Sequence, residues 1–209
     1  MNLIIITPEK NHPNEIELIQ NFFENGLLKL HLRKPHFTFT DYRGFLFQID
    51  KKFHHRISIH DNFSLLNSFP DLGIHLTSKL REEENYQEKI SMVNPSTAST
   101  SFHSWKEIED NSYPFDYAFI SPVFDSISKK GYKAAIDLSE AKRVKKKLMD
   151  RKGKHPSIIA LGGIDITNIE LLYKNGFDGA AILGTVWESK DPLASFLQIK
   201  EMVKGFADA

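Results

Sequence analysis

The sequence predicts a single eight-stranded parallel β/α barrel, the (β/α)8 or TIM barrel, over residues 1–209. Short β-rich runs alternate with longer helical segments along the chain, and that alternation implies parallel pairing. A length of 209 residues suits one domain and lies at the lower end of the range for a closed barrel. An open doubly wound sheet is the rival architecture. It would place a glycine-rich turn after the first strand, where this chain has Thr7-Pro8-Glu9-Lys10.

Each predicted strand is a short apolar or β-branched run that ends at polar or turn-forming residues. The predicted strands are Leu3–Thr7, Leu28–Arg33, Arg56–His60, Leu72–Leu76, Thr97–Phe102, Tyr117–Ser121, Ser157–Leu161 and Gly179–Leu183.

Helical patterns lie between most of these strands. Apolar residues recur at near-helical spacing in Glu15–Asn25, and Leu138–Lys152 is a basic amphipathic segment. Thr167–Asn175 starts with a threonine that is an N-cap candidate, and an Asn-Gly pair ends it. Asp191-Pro192 opens the last helix, with proline at its first position.

Composition excludes several classes of function. Lys plus Arg and Asp plus Glu both number 27, so the formal net charge of zero gives no support to nucleic-acid or membrane-surface partners. The chain has no cysteine, which excludes disulfides, thiolate nucleophiles and cysteine-bound zinc. The N-terminal MNLIIITPEK lacks the basic region of a signal peptide, and no apolar run is long enough to span a bilayer. We therefore expect a cytoplasmic protein.

Polar side chains alternate with apolar ones along the predicted second and third strands. Lys29, His31 and Arg33 share one face of the second strand, and His60 lies on the corresponding face of the third. The apolar face of a barrel strand packs against the outer helices. His31, Arg33 and His60 should therefore point toward the barrel axis at the C-terminal ends of their strands, with Asp61 following in the loop.

Two more histidines, His75 and His103, come near the ends of the fourth and fifth strands. A single histidine at a strand end is usually a hydrogen-bonded structural residue. Four that converge with an arginine and an aspartate favour a functional site at the pole where the active sites of this fold gather. A metal centre is a further interpretation, although the spacings match no zinc motif. His54-His55 are predicted to lie in a solvated loop.

Two glycine turns follow the seventh and eighth predicted strands. Gly162-Gly163 ends one strand and Gly184 ends the next. Backbone N–H groups without side-chain bulk bind phosphate oxygens well, and the loops after strands seven and eight are the usual phosphate site of this fold. A tight strand-to-helix turn is the alternative interpretation of the glycine pair.

The loop Ser121–Gly131 is a third candidate for phosphate or diphosphate contact. It offers the hydroxyls of Ser126 and Ser128 and the ammonium of Lys129. An ordinary polar loop is the alternative.

Taken together, these segments resemble the thiamine phosphate synthase family, including its thiazole tautomerase (TenI-like) branch. The resemblance implies a small phosphorylated thiazole as ligand, and barrels of this kind are often homodimers. It rests on the order and spacing of LHLRKP (Leu30–Pro35), ISIHDNF (Ile57–Phe63), GIHL (Gly73–Leu76), SFHS (Ser101–Ser104), DYAFISPVFDSISKK (Asp116–Lys130), ALGGI (Ala160–Ile164) and DGAAIL (Asp178–Leu183).

In the synthases, Mg²⁺ binds the diphosphate of an aminopyrimidine substrate, and the nitrogen of thiazole phosphate captures the ionised pyrimidine. Arg33 matches the family arginine and Asp61 matches one metal-binding aspartate. Lys129 matches the lysine of the sixth loop, and Ser126 and Ser128 stand for its threonines.

The chain also departs from the synthase pattern. Pro35 stands where the next family lysine is expected, and His60 replaces the usual asparagine. The second metal-binding aspartate belongs shortly after GIHL, but Thr77–Arg81 contains no carboxylate. These departures put Mg²⁺ binding in doubt.

The tautomerase branch has lost the diphosphate site and moves a proton to aromatise a carboxythiazole phosphate, without a metal. His31-Leu32-Arg33 and the S-x-H-S histidine, His103, are similar to its residues. A histidine suits general acid–base chemistry near neutral pH. Our leading interpretation is a tautomerase in which His103 transfers the proton and Arg33 pairs with the carboxylate. A synthase that uses Mg²⁺ at Asp61 and a non-catalytic ligand-binding or regulatory barrel are the alternatives.

Overall fold

A computed structural model describes residues 1–125 and 133–206, and within them eight parallel strands close into a barrel. Each strand pairs with its neighbours in the chain, and the first closes on the last through partners such as Leu3 and Ala180. The predicted fold class and all eight predicted strands are confirmed. The strands are β1 (Asn2–Ile6), β2 (Lys29–Leu32), β3 (Ile57–Ile59), β4 (Gly73–Leu76), β5 (Ala98–Phe102), β6 (Tyr117–Ile120), β7 (Ser157–Leu161) and β8 (Gly179–Ile182).

The connections run over the outside of the barrel and are mostly helical. Two 3-10 helices, Lys51–Arg56 and Phe63–Asn67, flank β3. Within the described residues, no helix has both the length and the apolar character needed to span a bilayer. The α-helices are α1 (Glu15–Glu24), α2 (Phe39–Phe47), α3 (Ser78–Arg81), α4 (Tyr86–Val93), α5 (Trp105–Asp110), α6 (Glu140–Met149), α7 (Ile169–Lys174), α8 (Gly184–Trp187) and α9 (Pro192–Gly205).

Two of the predicted N-caps can be compared with the observed starts of α7 and α9. Asp191 caps α9 as expected, because its side chain accepts from the N–H of Ala194 at 3.0 Å. The N-cap predicted at Thr167 is wrong. The Thr167 N–H and hydroxyl both donate to Oδ1 of Asp165, which holds Thr167 in a turn, and α7 begins only at Ile169.

The two faces of the strands point as their alternation predicts. Leu30 and Ile57 belong to the large apolar layer between barrel and helices. Inside the barrel a separate small cluster contains Ile6, Tyr117 and Phe119. The ring of His31 lies 4.6 Å from that of Phe119, so this histidine is part of the interior.

The 3-10 helix before β3 corrects one prediction. His54 is buried there, with Nε2 at 3.1 Å from the carbonyl oxygen of Ile49 and 3.3 Å from that of Leu46. Its neighbour His55 is exposed, as predicted for both. The difference arises because a 3-10 turn directs adjacent side chains to different sides.

Lys29 lies at the N-terminal end of the barrel, where Nζ donates to Oγ1 of Thr97 at 2.9 Å. Burial lowers the pKa of this ammonium from 10.5 to about 8, against the opposing effect of Asp116. The charged form therefore costs the folded state on the order of 3 kcal/mol below pH 8, and the cost disappears as the pH rises to 10.5.

We expect the free energy of unfolding of the wild type, relative to Lys29→Met, to rise between pH 8 and 10.5 and to be flat below pH 8. Chemical denaturation at several pH values measures this difference. Lys174→Met, at a side chain that is 62% exposed, is the matched control for the loss of a lysine at the surface. A flat difference for Lys29→Met would contradict the prediction.

Candidate active site

Three histidines meet inside the barrel near its C-terminal pole. His31 lies on β2, His60 directly follows β3, and His75 lies on β4, so they come from adjacent strands. Their ring centroids are 5.1 Å apart for His31 and His60, 5.0 Å for His31 and His75, and 4.4 Å for His60 and His75. All three side chains are buried, and His60, 7% exposed, is the one that reaches the pole.

Hydrogen bonds tie the cluster to hydroxyl groups on the strands around it. Nδ1 of His31 lies 2.9 Å from Nε2 of His60, and its Nε2 lies 2.7 Å from the hydroxyl of Tyr117. The ring of His75 is held between Ser99 and Ser101, with both N···O distances at 2.9 Å. Sequence reasoning missed Tyr117, although strand alternation places it on the inner face of β6.

Burial keeps these rings neutral at physiological pH. It is the main cause that lowers the pKa of His31 and of His60 well below the usual value, and it lowers that of His75 to about 3. The neighbouring histidines also lower the pKa of His31 and of His60, and the Arg33 guanidinium lowers that of His60 and of His75. Neutral imidazole is the form that offers a lone pair to a proton or a metal.

Arg33 lies at the rim, where β2 has ended. Its backbone N–H donates to Oγ1 of Thr7 at 2.9 Å, and Nη1 pairs with Oε1 of Glu9 at 2.5 Å. The side chain is 38% exposed, so the guanidinium is accessible to an anionic ligand. Asp61 is exposed after β3.

His103 does not join the cluster, so the expected convergence of four histidines is wrong. It follows β5 and is exposed, and its Nδ1 lies 3.2 Å from the carbonyl oxygen of Ser121. A carbonyl oxygen only accepts, so Nδ1 carries the hydrogen and the lone pair of the neutral ring is on Nε2. His103 is separate because it precedes Ser104, the N-cap of α5, and its ring contacts the carbonyl oxygen of Ser121 after β6 rather than the cluster.

The segment after β4 contains an arginine, Arg81, near the place where a metal-binding aspartate is expected. The Arg81 guanidinium lies over the Phe102 ring, 4.2 Å from its centroid, and Nη2 donates to the carbonyl oxygen of Ser101 at 3.1 Å. Nη2 also pairs with Oε2 of Glu107 at 3.4 Å. The Arg81 guanidinium is therefore largely buried, and the Glu107 carboxylate balances its charge.

The glycine pair after β7 packs closely against the loop after β6. Gly162 and Gly163 have φ angles of +108° and +62°, conformations that favour glycine. A Cβ on Gly163 would lie 2.2 Å from the carbonyl oxygen of Asp125, and the carbonyl oxygen of Gly162 accepts from the N–H of Phe124 at 3.2 Å. The interpretation of this glycine pair as a tight turn is therefore confirmed. Phosphate binding at the same turn stays a prediction.

Gly184, the other predicted phosphate contact, is the first residue of α8. The short helix after β8 is where barrels of this kind bind phosphate. The remaining predicted contacts, Ser126, Ser128 and Lys129, lie outside the described residues.

Comparisons with known proteins decide the family. A family model described as thiamine monophosphate synthase matches residues 3–186. The chain belongs to this family. A curated thiamine-phosphate synthase from Limosilactobacillus reuteri is 25% identical over 148 residues, which cover 70% of this chain. The match spans 65% of that relative's length, slightly less than two thirds.

Two solved structures are also similar. Thiamine phosphate pyrophosphorylase from Bacteroides thetaiotaomicron has a TM-score of 0.72 and 29% identity, covering 100% of this chain and 98% of that one. The Pyrococcus furiosus pyrophosphorylase has a TM-score of 0.78 at 18% identity, covering 98% and 96%. At that lower identity the likeness shows the fold alone.

The thiamine monophosphate synthase family implies a magnesium site, and this pole does not fit one. Mg²⁺ takes oxygen ligands, usually carboxylates and water. Asp61 offers one carboxylate, but the Glu9 carboxylate pairs with Arg33. Lys79 and Arg81 follow β4, where the second aspartate is expected, and imidazole rings line the interior below. Positive charge and nitrogen donors disfavour this ion.

Proposed function

We propose that this chain is a thiamine-biosynthesis enzyme that joins an aminopyrimidine diphosphate to a thiazole phosphate and releases diphosphate. The observation that carries the proposal is its 29% identity with the Bacteroides thetaiotaomicron pyrophosphorylase, which extends over the whole chain. The Limosilactobacillus reuteri relative also has the name of a synthase. Both names favour this reaction over tautomerisation.

In the proposed reaction the bond between the pyrimidine methylene carbon and the diphosphate oxygen breaks, and the electron pair leaves with the diphosphate. The thiazole nitrogen then forms the new C–N bond. Arg33 would balance the charge that develops on the leaving group, since charge-assisted bonds to anions are strong. Gly162, Gly163 and Gly184 would hold the thiazole phosphate, with Lys129, Ser126 and Ser128 as candidate contacts from the neighbouring loop.

The direct test supplies both substrates with Mg²⁺ and measures thiamine phosphate. We expect turnover by the wild type and a loss of about 10²–10³-fold in kcat/KM for Arg33→Ala, because an aligned cation is removed from the leaving group. Arg33→Lys should recover only part of the rate, since a lysine ammonium lacks the planar fork of a guanidinium. Arg43→Ala, at an exposed residue of α2, is the control and should keep the wild-type rate. Absence of thiamine phosphate with the wild type would overturn the proposal.

Tautomerisation of a carboxythiazole phosphate is a second candidate, favoured by a specific observation. Lys79 and Arg81 follow β4 where a second metal-binding aspartate is expected, while the exposed His103 has its Nδ1 at 3.2 Å from the carbonyl oxygen of Ser121. Such a ring suits proton transfer at a substrate carbon.

If tautomerisation is the reaction, His103→Ala should lower the rate of aromatisation by about 10²–10⁴-fold, the usual contribution of a general acid or base. Substrate affinity should change little. His155→Ala, at an exposed residue before β7, is the matched control. Unchanged turnover in His103→Ala would remove this residue from the mechanism. If neither reaction occurs but thiazole phosphate binds, the chain is a ligand-binding barrel.

A further inference from the structure

We propose that His31, His60 and His75 form a binding site for a divalent transition-metal ion such as Zn²⁺ or Co²⁺, on the barrel axis just below the pole. This inference does not depend on the reaction proposed above. One ring nitrogen from each histidine can be chosen so that all three lie within 4.8 Å of one another. His31 and His75 lie on β2 and β4, and His60 directly follows β3 between them, so the pairing of these strands brings the three rings together.

The donor set selects the class of ion. Imidazole nitrogen suits Zn²⁺, Co²⁺, Ni²⁺ and Cu²⁺, whereas Mg²⁺ and Ca²⁺ require oxygen ligands. Among the described residues, no carboxylate is hydrogen-bonded to any of the three rings. The family's oxygen-lined magnesium site and this nitrogen-lined cluster thus differ in the metal that they favour.

The existing hydrogen bonds orient the rings for this role. Nδ1 of His31 and Nε2 of His60, now 2.9 Å apart, already face each other. Metal–nitrogen bonds of about 2.0–2.1 Å in a tetrahedral site separate ligand atoms by about 3.3 Å. Binding would therefore move these two nitrogens apart by a few tenths of an ångström and turn both rings so that their lone pairs converge on the ion. It would also draw in the His75 nitrogen, which lies within 4.8 Å of the other two. His75 would bind through one nitrogen and give up one of its two serine contacts.

Outer hydroxyls support the rings of His31 and His75. The Tyr117 hydroxyl would accept from Nε2–H of His31, and Ser99 or Ser101 would hold the second nitrogen of His75. Metal-binding histidines almost always have such an outer partner, which fixes the tautomer and the ring orientation.

The site would have an open coordination position. Three protein ligands leave a fourth place for water or a ligand oxygen. His60 reaches the pole, with Asp61 next in the chain and the Arg33 guanidinium close enough to lower the pKa of its ring. A bound cation would thus face the space in which an anionic substrate is expected.

The test uses the full chain after treatment with a chelator. Titration with CoCl₂ should saturate at one equivalent and produce visible absorption typical of four- or five-coordinate Co²⁺, which ZnCl₂ abolishes by displacement. ZnCl₂ should raise the melting temperature, and MgCl₂ at the same concentration should not. His75→Asn and His60→Asn should each weaken Co²⁺ affinity at least tenfold while circular dichroism shows a folded chain. His55→Asn, at an exposed histidine of the preceding 3-10 helix, should bind like the wild type.

Two results would overturn the proposal. One is the absence of a saturable visible spectrum in the wild type. The other is binding that survives unchanged in both cluster variants. If those variants fail to fold, imidazole nitrogen NMR of the unaltered chain decides the question. One equivalent of Zn²⁺ must shift the ring resonances of His31, His60 and His75, and unchanged resonances identify the cluster as hydrogen-bonded packing only.

Discussion

Replacing Glu15 with alanine is expected to lower the free energy of unfolding by about 3–5 kcal/mol, because it leaves a buried ammonium without its counter-charge. Nζ of Lys34 lies 2.8 Å from Oε2 of Glu15, and their side chains are only 0% and 4% exposed. Burial lowers the pKa of Lys34, and the bond to Glu15 opposes this effect. Lys34 also donates to the carbonyl oxygen of Lys10 at 3.2 Å, which is a weaker partner than a carboxylate.

The ion pair between Lys34 and Glu15 connects the segment after β2, next to Arg33, to the start of α1. Thermal unfolding of Glu15→Ala should show a melting temperature lower by roughly 6–20 °C, at about 2–4 °C per kcal/mol for a domain of this size. Glu170→Ala is the matched control, since its i,i+4 pair with Lys174 is 57% and 62% exposed and should contribute less than about 0.5 kcal/mol.

A double substitution distinguishes two causes of the destabilisation in Glu15→Ala: the lost attraction between the two charges, and the cost of a buried Lys34 charge without a partner. Glu15→Leu combined with Lys34→Met removes both charges and fills a similar volume, so most of the stability should return. A Glu15→Ala variant within about 1 kcal/mol of the wild type would mean that the pair contributes no more than an exposed one.

The barrel and its inner histidines could be predicted because the necessary information is local. In β2 the alternation of Leu30 and Leu32 with His31 distinguishes the outer face from the inner one. The same rule places His75 inside. Since parallel strands end at one pole, strand position alone brings these residues to the same end of the barrel.

Contacts across the barrel could not be predicted in this way. The separation of His103 from the cluster depends on the turn that follows β5, and the bond between His31 and Tyr117 joins residues 86 positions apart. Lys34 belongs to the motif that indicates the family, but its partner Glu15 lies on a different element. Such pairs are set by strand register and helix docking, which a single sequence does not reveal.

The turn at Gly163 carries the second large expected effect. Gly163→Ala should destabilise the chain by about 2–5 kcal/mol, which combines the strain of a positive φ with the cost of overpacking. The new Cβ would lie 2.2 Å from the carbonyl oxygen of Asp125 and 3.0 Å from the carbonyl carbon of Phe124. Both contacts are with backbone, so the loop after β6 must move as a unit. Because that loop leads into the predicted phosphate contacts, we also expect KM for the thiazole phosphate to rise.

Two other glycines isolate the causes of that effect. Gly153 has a φ of +106° with nothing within 4 Å of an added Cβ, so Gly153→Ala measures backbone strain alone, about 1–2 kcal/mol. Gly184→Ala would bring its Cβ no closer than 3.4 Å to Glu188, so its stability should stay near that of the wild type. Urea unfolding of the three variants ranks them. If Gly163→Ala loses no more stability than Gly153→Ala, steric contact with the loop after β6 does not require glycine at position 163. Phosphate binding would then be the remaining reason for two glycines in this turn.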